Sequence, residues 1–571
     1  MTFTPLLRHV ANISAPGLLW FSTFLGFVRF HDYPVWRPEI LLIGLAFLGL
    51  GLPLGLLIAI RPRTLGAAVI TVLVLGWATE NLVTRYPDSL TAWDAVMQSI
   101  ADWGGPVSHY ATLGLGAMAI VGGLLALCGL LGRNLGVVMT TVFGVTAVSI
   151  VLLPAKTVIR GEIFSRQVAM NPDLPLVIHF VLDEHIGIEG LPPDIDGSEA
   201  LKDELMAFYR EFGFEVFALA FSQYTQTRNA LASMFNAQPP VDERLTAGWD
   251  RRDSDLRDNL WFERLADRGY AIRAYYLDKI DFCSRQNAAV ASCYVYSANS
   301  IGALRAADLP TSSAAKVIFG SFLDTLTLLK LARHHWLNEW GWLDRLPVWI
   351  SNRSVMGAPA SLALLSKIRQ DLKRISGGTA VFAHLLIPHH SYYYDPDCRI
   401  RTNIDTWLNA FSRSDAEAET ATINSPESRR RRYHGYFEQV RCLYRTLRGF
   451  LEELRAAGLL RDATIILHGD HGSRIALHAP NRGSAGRLSG ADLVDNYSAL
   501  FAIRRPGTKP HYDLSLRSIQ AIFTEAFLGR RYPDQSAAVV LDDWLRIEQA
   551  ADPQARLRMT MPGFGNCDGA C

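Results

Sequence analysis

Thr227 opens the run TRNALASMF (227–235), just after an apolar stretch, FEVFALAFS (214–222), that reads as a buried strand. A threonine at such a junction has two uses. Its hydroxyl can cap the helix by accepting a backbone N–H bond. It can also be a nucleophile held at the positive end of a helix, where an anion would sit. Three further apolar runs end in groups of the same kind. LPLVIHFVLDEH (174–185) ends in Asp183, Glu184 and His185, GTAVFAHLLIP (378–388) leads into His389 and His390, and DATIILHGD (462–470) ends in Asp470 and His471. Carboxylates, imidazoles and a hydroxyl are hard and borderline ligands that suit Zn²⁺ or Mn²⁺. A divalent cation beside a threonine hydroxyl makes an alkoxide accessible near neutral pH. A phosphoryl or sulfuryl group fits that arrangement, since cation and helix terminus would share the charge that grows in the transition state.

The elements that must position these residues alternate. Between the runs above lie polar helical stretches, and GYAIRAYYL (269–277) and YSALFAIRRP (497–506) read as further strands. Continuous apolar strands alternating with helices predict an α/β domain over residues 173–571 with a largely parallel sheet covered on both faces. Ligands of such sheets gather at the carboxyl ends of the strands, where the candidate residues stand.

The first 154 residues are of another kind. Segments 39–60, 65–83, 111–132 and 135–154 are apolar and long enough to cross a hydrocarbon core of about 30 Å, and the shorter 15–30 adds a fifth span. Residues 155–172 read as a linker leaving the membrane. The arginines and lysines flanking the spans are balanced between the two sides, so charge does not orient the bundle. Cysteines give the compartment. Cys128 lies in a span, whereas Cys283, Cys293, Cys398, Cys442, Cys567 and Cys571 all follow it. Six cysteines allow fifteen pairings, and their local spacing suggests 283–293 and 567–571, leaving 398–442. Disulfides imply an oxidising compartment, so the C-terminal domain is expected on the periplasmic or extracellular side of a multi-pass protein of the cytoplasmic (inner) membrane. A net charge of +1 with no basic aromatic-laced stripe excludes nucleic acid as a partner.

VLDE after a strand, a strand-to-helix threonine, PHHSYYYD and TIILHGDHGSR resemble the alkaline phosphatase superfamily in its sulfatase-like branch. With an N-terminal bundle of spans, the chain resembles the membrane-anchored bacterial phosphoethanolamine transferases and lipoteichoic acid synthases. The resemblance implies that Thr227, ahead of Thr225, is nucleophile and metal ligand, and that Asp470 and His471 are the late metal pair. It puts the first acidic ligand at Asp183 or Glu184, with Asp183 preferred, and makes His389, and similarly His478, a contact to substrate or a second metal. Arg228 and Arg474, beside the nucleophile and the metal pair, are candidates for the transferred group's oxyanion. The sequence departs from the pattern in places. No C-x-P-x-R or S-x-P-x-R run follows Thr227, Ala230 and Ala232 replace the usual Ser and Pro, and SRIALHAP follows GDHG.

The expected function is therefore a metal-dependent transferase, with Zn first and Mn second as cofactor. It would move phosphoethanolamine or phosphoglycerol from a phospholipid donor to a cell-envelope lipid or glycan acceptor through a covalent threonine intermediate. A phosphate- or sulfate-ester hydrolase is the competing enzyme, and a non-catalytic membrane sensor or assembly partner the competing class. Two other features have two readings each, and a third has one. Arg429–Arg432 is a solvated basic run or a clamp for a lipid phosphate or acidic acceptor. Residues 316–343 are core or a membrane-surface helix, and 92–103, with Trp93 and Trp103, is an amphipathic stretch suited to the interface.

Overall fold

The computed structural model describes residues 4–60, most of 66–74, scattered positions from 122 to 130, 134–152, 162–238, 256, 259–277, 280–283, 288–297, 301–306, 309–326, 356–373, 375, 377–404, 407, 424–541 and 558–562. The expected spans at 65–83 and 111–132 lie largely outside these residues, and the stretches 92–103 and 327–343, Cys128, Cys567 and Cys571 lie wholly outside them. Two compact units emerge: Met1–Val158 with Leu309–Asn352, and Ile159–Asp308 with Arg353–Cys571.

Among the described residues of the first unit, three helices are long and apolar enough to cross a membrane: Pro5–Phe30, Pro38–Ile60 and Leu135–Leu152. The first begins ten residues before the 15–30 segment read from sequence, and its length makes it comparable to the others. The helices approach closely where side chains are small. A Cβ on Gly51 would overlap the backbone of Gly17, and one on Gly55 the carbonyl of Ile13. Leu41, Leu42, Leu45 and Leu56 remain exposed along the second helix. A fourth helix, Thr311–Thr325, belongs to this unit, although the sequence reading assigned it to the C-terminal domain. Its Phe322 ring meets Phe24 at 5.4 Å and Phe319 meets Phe47 at 5.7 Å, so its described part packs on the apolar helices.

The second unit is built on a nine-stranded sheet. Its strands are β1 (Glu162–Ser165), β2 (Val177–Leu182), β3 (Glu215–Phe217), β5 (Ala271–Leu277), β6 (Val290–Tyr296), β7 (Thr379–Leu385), β8 (Thr464–His468), β9 (Phe501–Arg504) and β10 (His511–Asp513), in the order β1-β6-β5-β7-β2-β8-β9-β3-β10. The centre, β6-β5-β7-β2-β8, is parallel throughout; β1 and β9 pair antiparallel. β4 (Ala220–Phe221) pairs with β11 (Arg517–Ser518), and β12 (Ala538–Val540) with β13 (Arg558–Thr560).

β2 shows why the centre reads as unbroken apolar sequence. All six of its residues are buried. Successive side chains point to opposite faces. Val177 and Val181 join a core formed with the helices Thr227–Phe235 and Leu260–Asp267, while Phe180 packs on Phe450 of the helix Pro426–Ala456. Both faces are covered, so neither can be polar.

Two sequence expectations change. FEVFALAFS is not one strand: Ala218 and Leu219 turn the chain, leaving β3 in the main sheet and β4 in the small one. The 155–172 linker is not wholly a connector, because Glu162–Ser165 adds β1 to β6 at the sheet edge. Two of the suggested disulfides are present, Cys283–Cys293 and Cys398–Cys442.

Candidate active site

The sheet register brings the chemistry together. Leu182 of β2 lies beside Leu385 of β7, and Val181 beside His468 of β8. The residues that follow these strand ends must therefore emerge side by side. After β2 the chain turns tightly, with the His185 N–H donating to the Leu182 carbonyl and Glu184 in the left-handed region at φ 63°. The Glu184 N–H then donates to Asp470 Oδ1 at 3.1 Å. The glycines around Asp470 and His471 have steric reasons. A Cβ on Gly469 would overlap the His185 carbonyl oxygen, and one on Gly472 the backbone of Asp495 and Asn496.

Among the described residues two groups of potential ligands result, each with its donor atoms within 4.8 Å of one another: Asp183, His384 and Asp470, and Glu184, His389 and His390. Asp183 Oδ2 is 3.1 Å from His384 Nε2. Glu184 Oε1 is 3.4 Å from His389 Nε2 and 3.2 Å from Arg474 Nε, and its Oε2 is 3.3 Å from His390 Nδ1. The fold thus splits the two acids, one to each group. His185 turns away, its Nε2 3.0 Å from the Tyr444 hydroxyl.

Thr227 is the first residue of its helix. Gln226 takes the cap position and makes no side-chain cap bond. The Thr227 Oγ1 lies 3.4 Å from His471 Nε2. His471 Nδ1 is 3.0 Å from the Gly472 carbonyl, so Nδ1 carries the proton. Its Nε2 lies 2.7 Å from an Arg474 nitrogen, which can only donate, and 3.1 Å from Asp470 Oδ2, which can only accept. Burial and Arg474 disfavour a proton on this ring, Asp470 and Asp183 favour one, and the net direction is upward.

The electrostatics are those of charge kept in a dry place. Asp470 is fully buried, yet His471, with a smaller contribution from Thr227, holds its carboxyl well below the usual range against the opposing effect of burial. Burial likewise opposes ionisation of Glu184, and His389, His390 and Arg474 overcome it. His389 is pushed down to about 4, chiefly by burial. Asp183 Oδ1 is buried without a hydrogen-bond donor, and the buried Asp470 Oδ2 has only the ring Nε2 of His471 near it, at 3.1 Å. Buried carboxylate oxygens without donors are costly unless a cation or proton meets them.

A pocket of about 250 Å³ opens onto this cluster. Asp183, Thr227, Arg228, His384, His389 and Arg474 are among its lining residues. The fold therefore assembles Asp183, Glu184, Thr227, Asp470, His471, His389, Arg228 and Arg474 in one region. His478 is directed elsewhere. Its Nδ1 is 3.1 Å from Asp492 Oδ2, in the capping box that starts the helix Gly490–Tyr497, and it does not line the pocket. Sequence reasoning passed over His384. The signal was one polar residue inside the otherwise apolar strand TAVFAHL. His390 was noted at a strand end but given no role, and it supplies the third donor around Glu184.

No family model and no curated protein matches the chain. Among solved structures it is similar to the lipoteichoic acid synthase LtaP from Listeria monocytogenes, at 13% identity and a TM-score of 0.34 over 64% of this chain and 77% of that one. It is similar also to the C-terminal periplasmic domain of EptC from Escherichia coli in complex with Zn, at 11% and 0.35 over 66% and 89%. A phosphonate monoester hydrolase of Agrobacterium radiobacter matches at 14% and 0.37 over 66% and 81%.

Proposed function

We propose that this chain is a membrane-anchored, sulfatase-like enzyme that transfers a phosphate-bearing headgroup from a phospholipid to a cell-envelope acceptor through Thr227. The observation that carries the reading is the 3.4 Å approach of the Thr227 hydroxyl to His471 beside a pocket lined by Thr227 and the buried Asp183. A divalent cation fits the buried oxygens of Asp183 and Asp470. Those two acids with His384 would hold it, and His471 stands on the Thr227 side. Zn²⁺ and Mn²⁺ both suit that set, and either would supply Lewis-acid charge that lowers the pKa of a nearby hydroxyl.

The chain's own groups divide the remaining work. Thr227 Oγ1 forms the new bond to phosphorus, and the bond from phosphorus to the diacylglycerol oxygen breaks. Arg228 and Arg474 line the pocket and would bind the phosphoryl oxygens; Arg474 is also held by Glu184. First-turn N–H groups of the Thr227–Phe235 helix add positive potential there. His389, neutral and on the same pocket wall, would take the hydroxyl proton and return it to the leaving glycerol oxygen. An acceptor hydroxyl or phosphate then displaces Thr227. The apolar helices support a membrane anchor, and two disulfides in the catalytic unit support a site on the periplasmic or extracellular side.

The test is intact-mass and peptide mass spectrometry after incubation with phosphatidylethanolamine or phosphatidylglycerol vesicles. The reading expects a headgroup-phosphate adduct on Thr227 and acceptor-dependent discharge. An adduct discharged only by water would make the protein a hydrolase. No adduct, together with full activity of Thr227→Ala, would end the proposal.

A further inference from the structure

The basic run at 429–432 has no part in the chemistry above, and helix geometry divides it. Arg429 is buried and spent internally, with its Nε 3.0 Å from Asp495 Oδ2 and its Nη1 2.6 Å from Asp194 Oδ2. Arg432, one turn on, is also buried and donates from Nη1 to the neutral Asn424 side chain at 2.9 Å. Arg430 and Arg431, on the other side of the helix, are exposed and have no hydrogen-bond or ion-pair partner among the described residues.

These side chains do not simply face solvent. Arg430, Arg431 and Arg432 line a pocket of about 360 Å³ together with Arg401, His434 and Tyr392. Four guanidiniums and an imidazole face it, against one lining carboxylate, Asp196; Arg401 is in addition paired with Glu438. Gly435 lies against Tyr392 in the wall, and a Cβ there would come within 3.1 Å of that side chain. The pocket adjoins the carboxylate–imidazole cluster through one short loop. His390 lies 3.3 Å from Glu184, and Tyr392, two residues on, forms the pocket wall. The Tyr392 ring also packs at 5.8 Å on Tyr436, whose hydroxyl donates to the Glu184 carbonyl.

We propose that this arginine-lined pocket is an anion subsite that takes a phosphate-ester group of a substrate bound beside the Thr227 centre. Its role as a substrate subsite rests on the proposed transferase reading, whereas its binding of phosphate does not. Planar guanidiniums recognise phosphate oxygens in pairs, and partial enclosure strengthens each contact over its value in open solvent. The phosphate could belong to a sugar phosphate of the acceptor or to a lipid headgroup, and the same chemistry serves both.

The experiment compares the full-length protein in detergent micelles with its Arg430→Gln/Arg431→Gln variant. Both positions are exposed, so unchanged thermal unfolding is the expected control. Glucose 1-phosphate and glucose are titrated calorimetrically, and binding to vesicles containing phosphatidic acid is compared with vesicles of phosphatidylcholine alone. The proposal expects glucose 1-phosphate or phosphatidic acid to bind about tenfold or more weakly to the variant, the neutral controls to be unaffected, and the difference to shrink in high salt. Loss in the sugar arm names an acceptor phosphate, and loss in the vesicle arm a lipid phosphate. Equal binding of both phosphate probes by the two proteins would overturn the proposal. Thr227→Ala is expected to retain this binding, so failure of the threonine mechanism and failure of the anion subsite give different results.

Discussion

Thr227 Oγ1 stands 3.4 Å from His471 Nε2, across 244 positions of sequence. The helix cap position beside it belongs to Gln226, not to Thr227. Replacing a capping threonine typically costs about 1 kcal/mol of stability. Thr227→Ala is therefore expected to leave the unfolding temperature within a degree or two while reducing headgroup transfer by about a thousandfold or more. Thr227→Ser is expected to keep part of the activity. A large fall in unfolding temperature with activity retained would restore the cap reading.

Metal removal is expected to act on stability as well as activity. The carboxylate oxygens of Asp183 and Asp470 are buried in a group that could hold a cation. A ligand bound only by the folded state stabilises it by about 2.7 kcal/mol at one hundred times its dissociation constant. Dialysis against a chelator should lower the unfolding temperature of the wild type, and re-addition of Zn²⁺ or Mn²⁺ should restore it. In Asp470→Asn neither treatment should shift it much.

Gly469→Ala tests the close approach of the two strand-end turns. The added methyl would overlap the His185 carbonyl oxygen. Overpacking of this kind costs about 1–3 kcal/mol. The variant should unfold at lower temperature and lose most of its transfer activity, because Asp470 and His471 are carried on the displaced turn.

The buried His179 predicts a pH dependence of stability. Its Nε2 is 2.8 Å from His468 Nε2, and burial, reinforced by His468, holds its pKa well below the ordinary value of 6.5. A ring that is neutral in the folded state but protonates freely when unfolded contributes stability above pH ~6.5, and loses it as pH falls below that value. Its share of the slope approaches about 1.4 kcal/mol per pH unit. Unfolding temperatures measured from pH 7.5 to 5 should fall, and His179→Leu should flatten the decline by about one proton's worth.

The two disulfides should contribute unequally. Cys398–Cys442 closes 44 residues and Cys283–Cys293 closes 10. Loop-closure entropy gives about 4 kcal/mol for the first and under 3 kcal/mol for the second. The double serine variant at 398 and 442 should unfold at lower temperature than the variant at 283 and 293. Thiol labelling of the native protein should leave all four cysteines unmodified.

Much of this protein could be read from its sequence because the relevant signals are local. Unbroken apolar runs such as VIHFVL follow from a strand covered on both faces, and the apolar helices of the first unit declare themselves by length and composition alone. The residue types at the strand ends were visible for the same reason, since a parallel sheet delivers its ligands there. Other features depended on partners distant in sequence. Asp183 meets His384 across 201 positions and Glu184 meets Asp470 across 286, and no local periodicity encodes those pairings. The register of β2 against β7 and β8 divides Asp183 from Glu184 and brings His384 into the site, while the capping-box bond to Asp492 holds His478 outside it. The same holds for the break in FEVFALAFS, because its halves satisfy their backbone bonds in different sheets. Sequence set which side chains were available for chemistry. Hydrogen-bond register between distant strands determined which of them meet.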